Sequence, residues 1–455
     1  MSASDKAKLL SGYKDDFEDE DGFDEAAGRS TTYNILNTLL GVSLFAVPWG
    51  YERSGFIGGT AIIVCVCMAC YETIRILLVS QGALFDRTGT TMTYPEMVAH
   101  TMPEPMPKVV KAATLISCIG GCIGYLIFCG DVCRIIFGWT ELTSVLLSCV
   151  PLIGLSWLKG FKELEVFSFV NFCTIIVALA YILIDGVLNV PPSAVEGVPL
   201  FAPFANTVQF VGPATFTFTV HYMLVSMGGE YTRREASRPG SPLRSPLRAN
   251  YAASQDSSHV LLKPLAKSFL IAGTVIVIFG ASSFVLFDHG ELQYDDKAHD
   301  VIRPGCEHVV CQNIVMNLSS SLYRTMLGVV LIPMIFVTYT LLMAPAREHV
   351  EDALLQCVDD GSPVLKRGVS MAIRTLLVLF TAAIAAVYPY FGSTLGAVGG
   401  ITDAFQAFIL PCIIYTSVTA ERGGTPNPWI YRVIIFLGSC LMVTTLKGVW
   451  DGMAN

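Results

Sequence analysis

From Asn34 to Gly55 the chain reads NILNTLLGVSLFAVPWGYERSG, a stretch with the length and apolarity of a bilayer-spanning helix, yet Gly41, Pro48 and Gly50 interrupt it. Hydrocarbon offers a backbone no hydrogen-bond partners, so irregular main chain at membrane depth must sit inside protein or beside a water-filled cavity. Interrupted spans near the bilayer midplane are the strongest sequence pointer to a transporter's substrate site. The plainer reading is a kinked structural helix whose small residues allow close packing.

Apolar blocks recur along the rest of the 455 residues, which are 53% hydrophobic and only 15% charged. Soluble domains carry about 25% charged residues, and the mean hydropathy here is +0.57. Each block is long enough to cross ~30 Å of hydrocarbon, which takes about 20 helical residues. The class is therefore an all-α polytopic membrane protein, most of it one bundle. The formal net charge of −8 says little about partners, because much of it sits in the N-terminal tail. No nucleophilic triad, metal-ligand cluster or phosphate loop stands out, which argues against an enzyme, a cofactor or a bound metal. No pore loop or ring of charge suggests a channel, and nothing in the pattern calls for nucleic acid.

Residues 1–29 are polar and acidic, with DDFEDEDGFDE from Asp15 to Glu25 and no apolar core of a signal peptide; they read as a solvated cytoplasmic tail. The transmembrane domain occupies 30–450. After the broken first span, the others are expected at 56–80, 108–133, 142–158, 164–188, 207–230, 264–287, 319–343, 374–390, 395–419 and 431–446, about eleven in all. Tyr94-Pro95-Glu96 opens a short amphipathic piece between spans two and three. Span six is the counterpart of span one: Gly212-Pro213 is expected to disrupt its start and Gly228-Gly229 to loosen its end. Span ten carries Gly399-Gly400 and Pro411. Spans one to five and six to ten can then form two inverted units, a 5+5 arrangement with the broken helices first in each. No repeat is visible by residue identity.

Lysine and arginine in short loops set the orientation. The arginine-rich 232–262 loop and the Lys159–Lys162 and Lys366–Arg367 turns fall in the cytosol with the N-terminus, and the 288–317 loop falls on the lumenal or extracellular face. Of the 14 cysteines, most lie in apolar runs, where cysteine serves as a small hydrophobe. Cys306 and Cys311 differ: they share the polar outer loop with a glycosylation sequon at Asn317, and are expected to pair in an oxidising compartment.

Asn34, Asn37, Gly41, Leu44 and Pro48, followed by Gly55 and Gly58, resemble the first helix of the amino acid/auxin permease family. The likeness is greatest to its vesicular inhibitory and vacuolar amino acid transporters. It continues in Cys70-Tyr71-Glu72-Thr73, Tyr94, Gly124-Tyr125-Leu126, Gly130, Ser168, Phe216-Thr217-Phe218-Thr219, Pro333 and Phe408 to Pro411. It covers about residues 31 to 445, through short matches whose order and spacing are specific. There are departures: many relatives have proline where Val225 stands, and an acidic residue near the place of Glu230, here preceded by Gly228-Gly229. The resemblance implies transport of amino acids across a vacuolar, vesicular or other acidic-organelle membrane; the outer sequon and cysteines fit the plasma membrane as well.

An amino acid presents a carboxylate and an ammonium. Free N–H groups at a helix break suit the first, and unpaired carbonyls suit the second. Gly41, Val42 and Ser43 supply one wall of such a site, and Thr215, Thr217, Phe218 and Thr219 the other, with Tyr125 alongside by the resemblance. Each threonine can equally back-bond to its own helix. Intramembrane ionisable groups are costly and default to functional candidates, so His221, Glu230 and Asp403 are the coupling candidates. A satisfied packing histidine is the plainer reading of His221. Two functional classes fit. One is a secondary active transporter of small neutral amino acids coupled to H+, with Na+ as the alternative ion. The other is an amino acid sensor on the same fold.

Overall fold

A chain in hydrocarbon must satisfy its main chain within each span, and the molecule does so almost wholly with helices. The computed structural model describes residues 31–157, 164–189, 197–228, 246–288, 305–318, 321–355, 363–424 and 428–454. Among these no strand occurs. The acidic tail, Glu230 and the Lys159–Lys162 turn lie outside the described residues.

Span one is α1 (31–39), a 3₁₀ turn over Val42–Ala46, and α2 (Val47–Ser54). Span two is α3 (Phe56–Thr88), and α4 (Tyr94–Thr101) lies in the connection to span three, α5 (Met106–Phe137). Spans four and five are α6 (Glu141–Ser156) and α7 (Leu164–Asn189). Span six divides into α8 (Phe204–Phe218) and α9 (221–228). Then come α10 (Pro246–Phe287), α11 (Ser321–Leu355) and α12 (Pro363–Val387). Span ten is α13 (Phe391–Val398), two π-helical turns over Gly399–Asp403 and Phe405–Ile409, and α14 (Leu410–Glu421); α15 (Pro428–Ala454) is the last. Eight described helical stretches are long and apolar enough to cross a membrane, and Leu142–Ser156 is a shorter apolar helix. The two broken spans complete the set.

Helix ends follow local chemistry. Gly55 ends α2 with φ 78°, a conformation glycine adopts without steric cost, and a Cβ there would sit 2.7 Å from the Leu200 backbone. That close approach lets the 199–202 segment serve both helix ends: Phe56 and Ile57 N–H donate to the Pro199 and Leu200 carbonyls (both 2.9 Å), and Ala202 N–H donates to Ser54 (3.1 Å). Thr93 and Glu96 form a capping box at the start of α4, with Pro95 in its first turn.

The packing reveals the repeat that residue identity hides. Each of the first three spans packs on its counterpart five spans later: α2 on α8, α3 on α10, α5 on α11. Off-axis contacts also come in matched pairs. α3 packs on α8 as α10 does on α2, and α12 on α5 as α6 does on α11. Span five meets span one through Asn171, which donates to Asn37, and through the Tyr33 ring set edge-on to Phe169 at 5.6 Å. Span ten meets span six in the equivalent place. Five crossings separate the members of each pair, so the two units run in opposite directions. α5 is buried nearly all round, and α15 shows most of its surface to lipid. The outer surface is apolar, with Leu142, Val177, Leu270, Val329, Phe380 and Phe436 exposed, as a bilayer-facing wall must be.

Several expected boundaries move. α10 begins at Pro246, well inside the stretch expected as loop, α11 runs on to Leu355, and α12 begins at Pro363. Hydropathy marks only the part that hydrocarbon covers. The α11 extension is held by contacts of its own, such as Glu351 with Arg374 Nε of α12 at 2.6 Å. Lys366 and Arg367 accordingly lie in the first turn of α12 and not in a connecting turn. The larger change is in span six. α8 passes through Gly212-Pro213 unbroken, and the helix stops only at Thr219-Val220.

Gly212 serves a crossing. A Cβ on Gly212 would lie 2.3 Å from the Gly396 carbonyl oxygen, and one on Gly399 only 2.0 Å from that of Gly212. Gly399→Ala is therefore expected to push span ten off span six, overpacking that costs about 1–3 kcal/mol or more. The check is the melting temperature and elution profile of the purified protein in detergent, both of which should deteriorate. Gly368→Ala, with nothing within 4 Å, is the control that should change neither.

Candidate substrate site at the broken spans

Span one loses its α-helical pairing at Leu40-Gly41, where the chain is extended (Gly41 φ −89°, ψ −168°), and resumes as a 3₁₀ turn through which Leu44 N–H donates to the Gly41 carbonyl at 3.2 Å. A change from α to 3₁₀ pairing removes the i→i−4 partners of the junction. Val42, Ser43 and the remainder of that turn are buried, and Pro48 opens the helix that follows. Here α5 supplies Tyr125, whose hydroxyl would lie 3.2 Å from a Cβ on Gly41. The structure thus brings Gly41, Val42 and Tyr125 to one point deep in the bundle.

The span-six wall is arranged differently from the sequence expectation. Thr215, Thr217 and Thr219 are buried, and each donates its hydroxyl to its own helix: to Val211 (2.8 Å), Pro213 (2.9 Å) and Thr215 (2.7 Å). Their oxygens keep only lone pairs for a ligand, so this run can accept from an ammonium and has no hydroxyl proton left for a carboxylate. Phe218 turns toward span seven and stacks on Phe269 at 6.1 Å between ring centroids. Phe216 instead faces span three: its ring edge would lie 3.2 Å from a Cβ on Gly121, one helical turn before Tyr125. Across the two breaks, Thr38 donates to the sulfur of Met223 at 3.2 Å. Sequence reasoning missed Phe216, Thr38 and Met223. The signal available for Thr38 was its place one turn before Gly41; nothing in the sequence separates Phe216 from Phe218 until the break is fixed at Thr219.

The ionisable candidates fall on two sides of one turn of α3. His221 opens α9, fully buried, with Nε2 2.9 Å from the Thr73 hydroxyl and no partner at Nδ1. Thr73 itself donates to the Ala69 carbonyl at 2.9 Å, so it is best placed to accept from an Nε2–H. Asp403, 1% exposed, accepts from Ser117 at 2.6 Å and lies within electrostatic reach of Cys70 on the same turn as Thr73. The two are not hydrogen-bonded to each other. Beside Asp403, the Gln406 amide oxygen accepts from Thr114 (2.7 Å) and its carbonyl from Tyr94 (2.6 Å). Among the described residues no group of three or more His, Cys, Asp or Glu side chains could hold a metal ion.

Residues 305–318 fold over the end of span one. Cys306 and Cys311 are joined by a disulfide, and both are buried. Val310 N–H donates to Glu52 (3.4 Å), Gln312 exchanges hydrogen bonds with Ser393 at the start of α13 (3.2 and 3.1 Å), and Asn313 donates to Asp131 of α5 (3.1 Å). Asn317 is used within the loop: its oxygen accepts from Cys311 N–H (2.9 Å), and its nitrogen, the atom a glycan would occupy, donates to the Val309 carbonyl (2.7 Å).

Two inverted five-span units, with an interrupted helix leading each and the two breaks adjacent, define a secondary-transporter fold. The chain belongs to the transmembrane amino acid transporter protein family, whose model matches residues 26–239 and 308–450. It is similar to the amino acid transporter ANT1 of Arabidopsis thaliana, at 24% identity over 94% of this chain and 93% of that one. It is also similar to the vesicular GABA transporter of Caenorhabditis elegans, at 22% identity over 93% and 80%. A third relative, vacuolar amino acid transporter 2 of Saccharomyces cerevisiae, matches at 24% identity over 35% of each chain. Among solved structures, a manganese transporter of Eremococcus coleocola superposes with a TM-score of 0.55 at 12% identity, over 93% of this chain and 87% of that one. That likeness concerns the fold alone.

Gly41→Val is expected to abolish amino acid uptake while the protein still folds and reaches its membrane, because a branched side chain would press on the Tyr125 hydroxyl and fill the break. Uptake by the variant at near the normal rate would place the site elsewhere. In the outer loop, peptide mapping without reductant should recover Cys306 and Cys311 as one linked pair, and alkylation of both as free thiols would contradict it.

Proposed function

We propose that the chain is a secondary active transporter that carries small neutral amino acids across an acidic-organelle membrane, with H+ as the coupling ion and its N-terminus in the cytosol. One observation carries the reading: the unwound, glycine-bearing turn of span one meets Tyr125 beside the break of span six. Main chain freed at Gly41-Val42 can receive the carboxylate, with the half-helix dipole favouring negative charge there. The carbonyl and hydroxyl oxygens around Thr215–Thr219 can receive the ammonium. No salt-bridging side chain is found among the described residues beside Gly41, Tyr125 and Phe216, which favours neutral substrates.

His221 and Asp403 are both buried on elements that flank the breaks, so each is placed to change charge as the protein changes state; Glu230 remains a third candidate. The names of the vesicular and vacuolar relatives support an organellar membrane that maintains a proton gradient. The 305–318 loop would then face the lumen, where an oxidising compartment suits its disulfide.

The test is flux. Purified protein in proteoliposomes, lumen acidified and no sodium present, should accumulate one or more amino acids from a labelled panel, and collapse of the pH gradient should release them. Binding without flux would favour the sensor reading. Accumulation that follows a sodium gradient alone would replace the ion. Orientation has its own check: an epitope placed within 232–262 should be cut by protease added from the cytosolic side of intact vesicles.

A further inference from the structure

We propose that Asp403 is the residue that binds and releases the coupling proton, and that the π-helical turn carrying it passes its change of charge directly to span six. This rests on the proton-coupled reading above and chooses among its candidates.

The first argument is the company Asp403 keeps. It is nearly wholly buried, and its hydrogen-bond partners are neutral hydroxyls, Ser117 at 2.6 Å and the adjacent Thr402. Among the described residues it forms no salt bridge. The titratable groups facing it are Cys70 of α3, Cys118 of α5 and Tyr222 of α9, none a cation. The other elements packed on this turn present Gly212 of α8, Gly396 of α13 and Thr445 of α15. A buried carboxylate with no counter-ion is costly as an anion and easily accommodated as an acid. Asp185, also buried, is held differently: it accepts from Asn189 and faces the Arg324 guanidinium.

The second argument is the backbone. Asp403 ends one π-helical turn, and a second begins at Phe405. Such turns relax the i→i−4 ladder and recur at functional sites. The outer edge of this segment is pinned by side chains of other elements, Tyr94 to the Gln406 carbonyl and Thr114 to the Gln406 amide. Its inner edge is in backbone contact with span six: a Cβ on Gly399 would lie 2.0 Å from the Gly212 carbonyl oxygen and 2.8 Å from the Phe216 nitrogen. The Phe216 end of that contact falls one turn before the break at Thr219-Val220, on the residue whose ring faces Gly121 of span three. Any displacement of the π turn must therefore move the span-six wall.

The proton step balances simply. The carboxylate takes a proton from hydronium on the acidic side, forming an O–H bond and leaving water. It returns the proton to water on the other side once that path opens. In the anionic state Asp403 needs the Ser117 donor and holds span ten against span three. When protonated it no longer requires that hold, and the turn is freer to shift. His221 has a different part: its bond to Thr73 ties α9 to span two across the break.

The experiment uses the full chain in proteoliposomes and a radiolabelled mixture of glycine, alanine, serine and proline. Wild-type protein should accumulate label under an imposed pH gradient. Asp403→Asn should lose about tenfold or more of that accumulation, while its residual amino acid exchange becomes independent of pH. His221→Gln, whatever its effect on rate, should leave the pH midpoint of exchange where it is in the wild type. If Asp403→Asn does not fold, Asp403→Glu and Ser117→Ala decide. Removing the Ser117 donor destabilises the anion, so Ser117→Ala should move the pH midpoint of exchange upward, and Asp403→Glu should move it too. A merely structural role would lower activity at every pH without moving the midpoint. Retained pH-driven accumulation in Asp403→Asn, or unmoved midpoints in the other two, overturns the assignment. Wild-type protein that transports no amino acid from any panel would instead sink the functional reading on which it rests.

Discussion

The constraint on which the rest of the structure depends is the main chain's need for hydrogen bonds where water is absent. Among the described residues, three places depart from regular α-helix at membrane depth: residues 40–46, Thr219-Val220, and the π turns between Gly399 and Ile409. All three are gathered in the interior and wrapped by regular helices. Of these helices α5 is the most buried, and α12 and α15 are the most exposed. A fold of this kind can place polar backbone at the bilayer's midplane because the irregular parts shield one another.

Holding such parts together in lipid calls for close packing, since the hydrophobic effect gives no preference between a helix and an acyl chain. Glycines supply it at points of backbone or ring contact. A Cβ on Gly50 would overlap the Phe210 ring, at 1.9 Å, and one on Gly280 would meet Val47 at 2.5 Å. The first contact lies between the equivalent spans one and six, and the second on the off-axis crossing of spans seven and one. With Gly212, Gly396 and Gly399 they form a core in which the broken spans touch their neighbours through main chain. Motions there are transmitted without the slack of long side chains, a property suited to alternating access.

Much of this was legible in the sequence, for physical reasons that vary by element. Hydropathy located the spans because burial in lipid demands it, but it was silent where helices continue into water, as at Pro246 and Leu355. The break in span one was readable because glycine and proline lie within a single apolar run. The break in span six was not. Pro213 drew attention to the wrong place, since a proline within a helix whose freed carbonyl is covered by a neighbour need not end it; a Cβ on Gly396 would lie 3.9 Å from the Gln209 carbonyl oxygen. The true break falls at Thr219-Val220, two β-branched residues with no breaker between them, and is dictated by packing. The 5+5 repeat is likewise a fact of contacts and not of residue identity. Site residues followed suit: Gly41 and Tyr125 were found together, whereas the choice between Phe216 and Phe218 depended on a rotation that only the break defines.

The bundle's polar side chains divide by what they are needed for. Near span ends, Glu72 and Arg75 pair at 2.7 Å, and Arg87 with Glu421 and Arg422 with Asp86 join span two to span ten. These contacts sit where water can reach and neutralise each other, so they fix geometry without strain. Deeper in, Thr215, Thr217 and Thr219 return their protons to their own helix, which leaves that wall of span six only acceptors. What is left is a short list of groups that the fold buries yet does not neutralise. A structure that needs only stability has little reason to keep a buried acid with a serine as its partner, since an apolar residue of like volume is often at least as stable. Retaining one at a π turn, in backbone contact with a broken helix, makes sense when its charge must change.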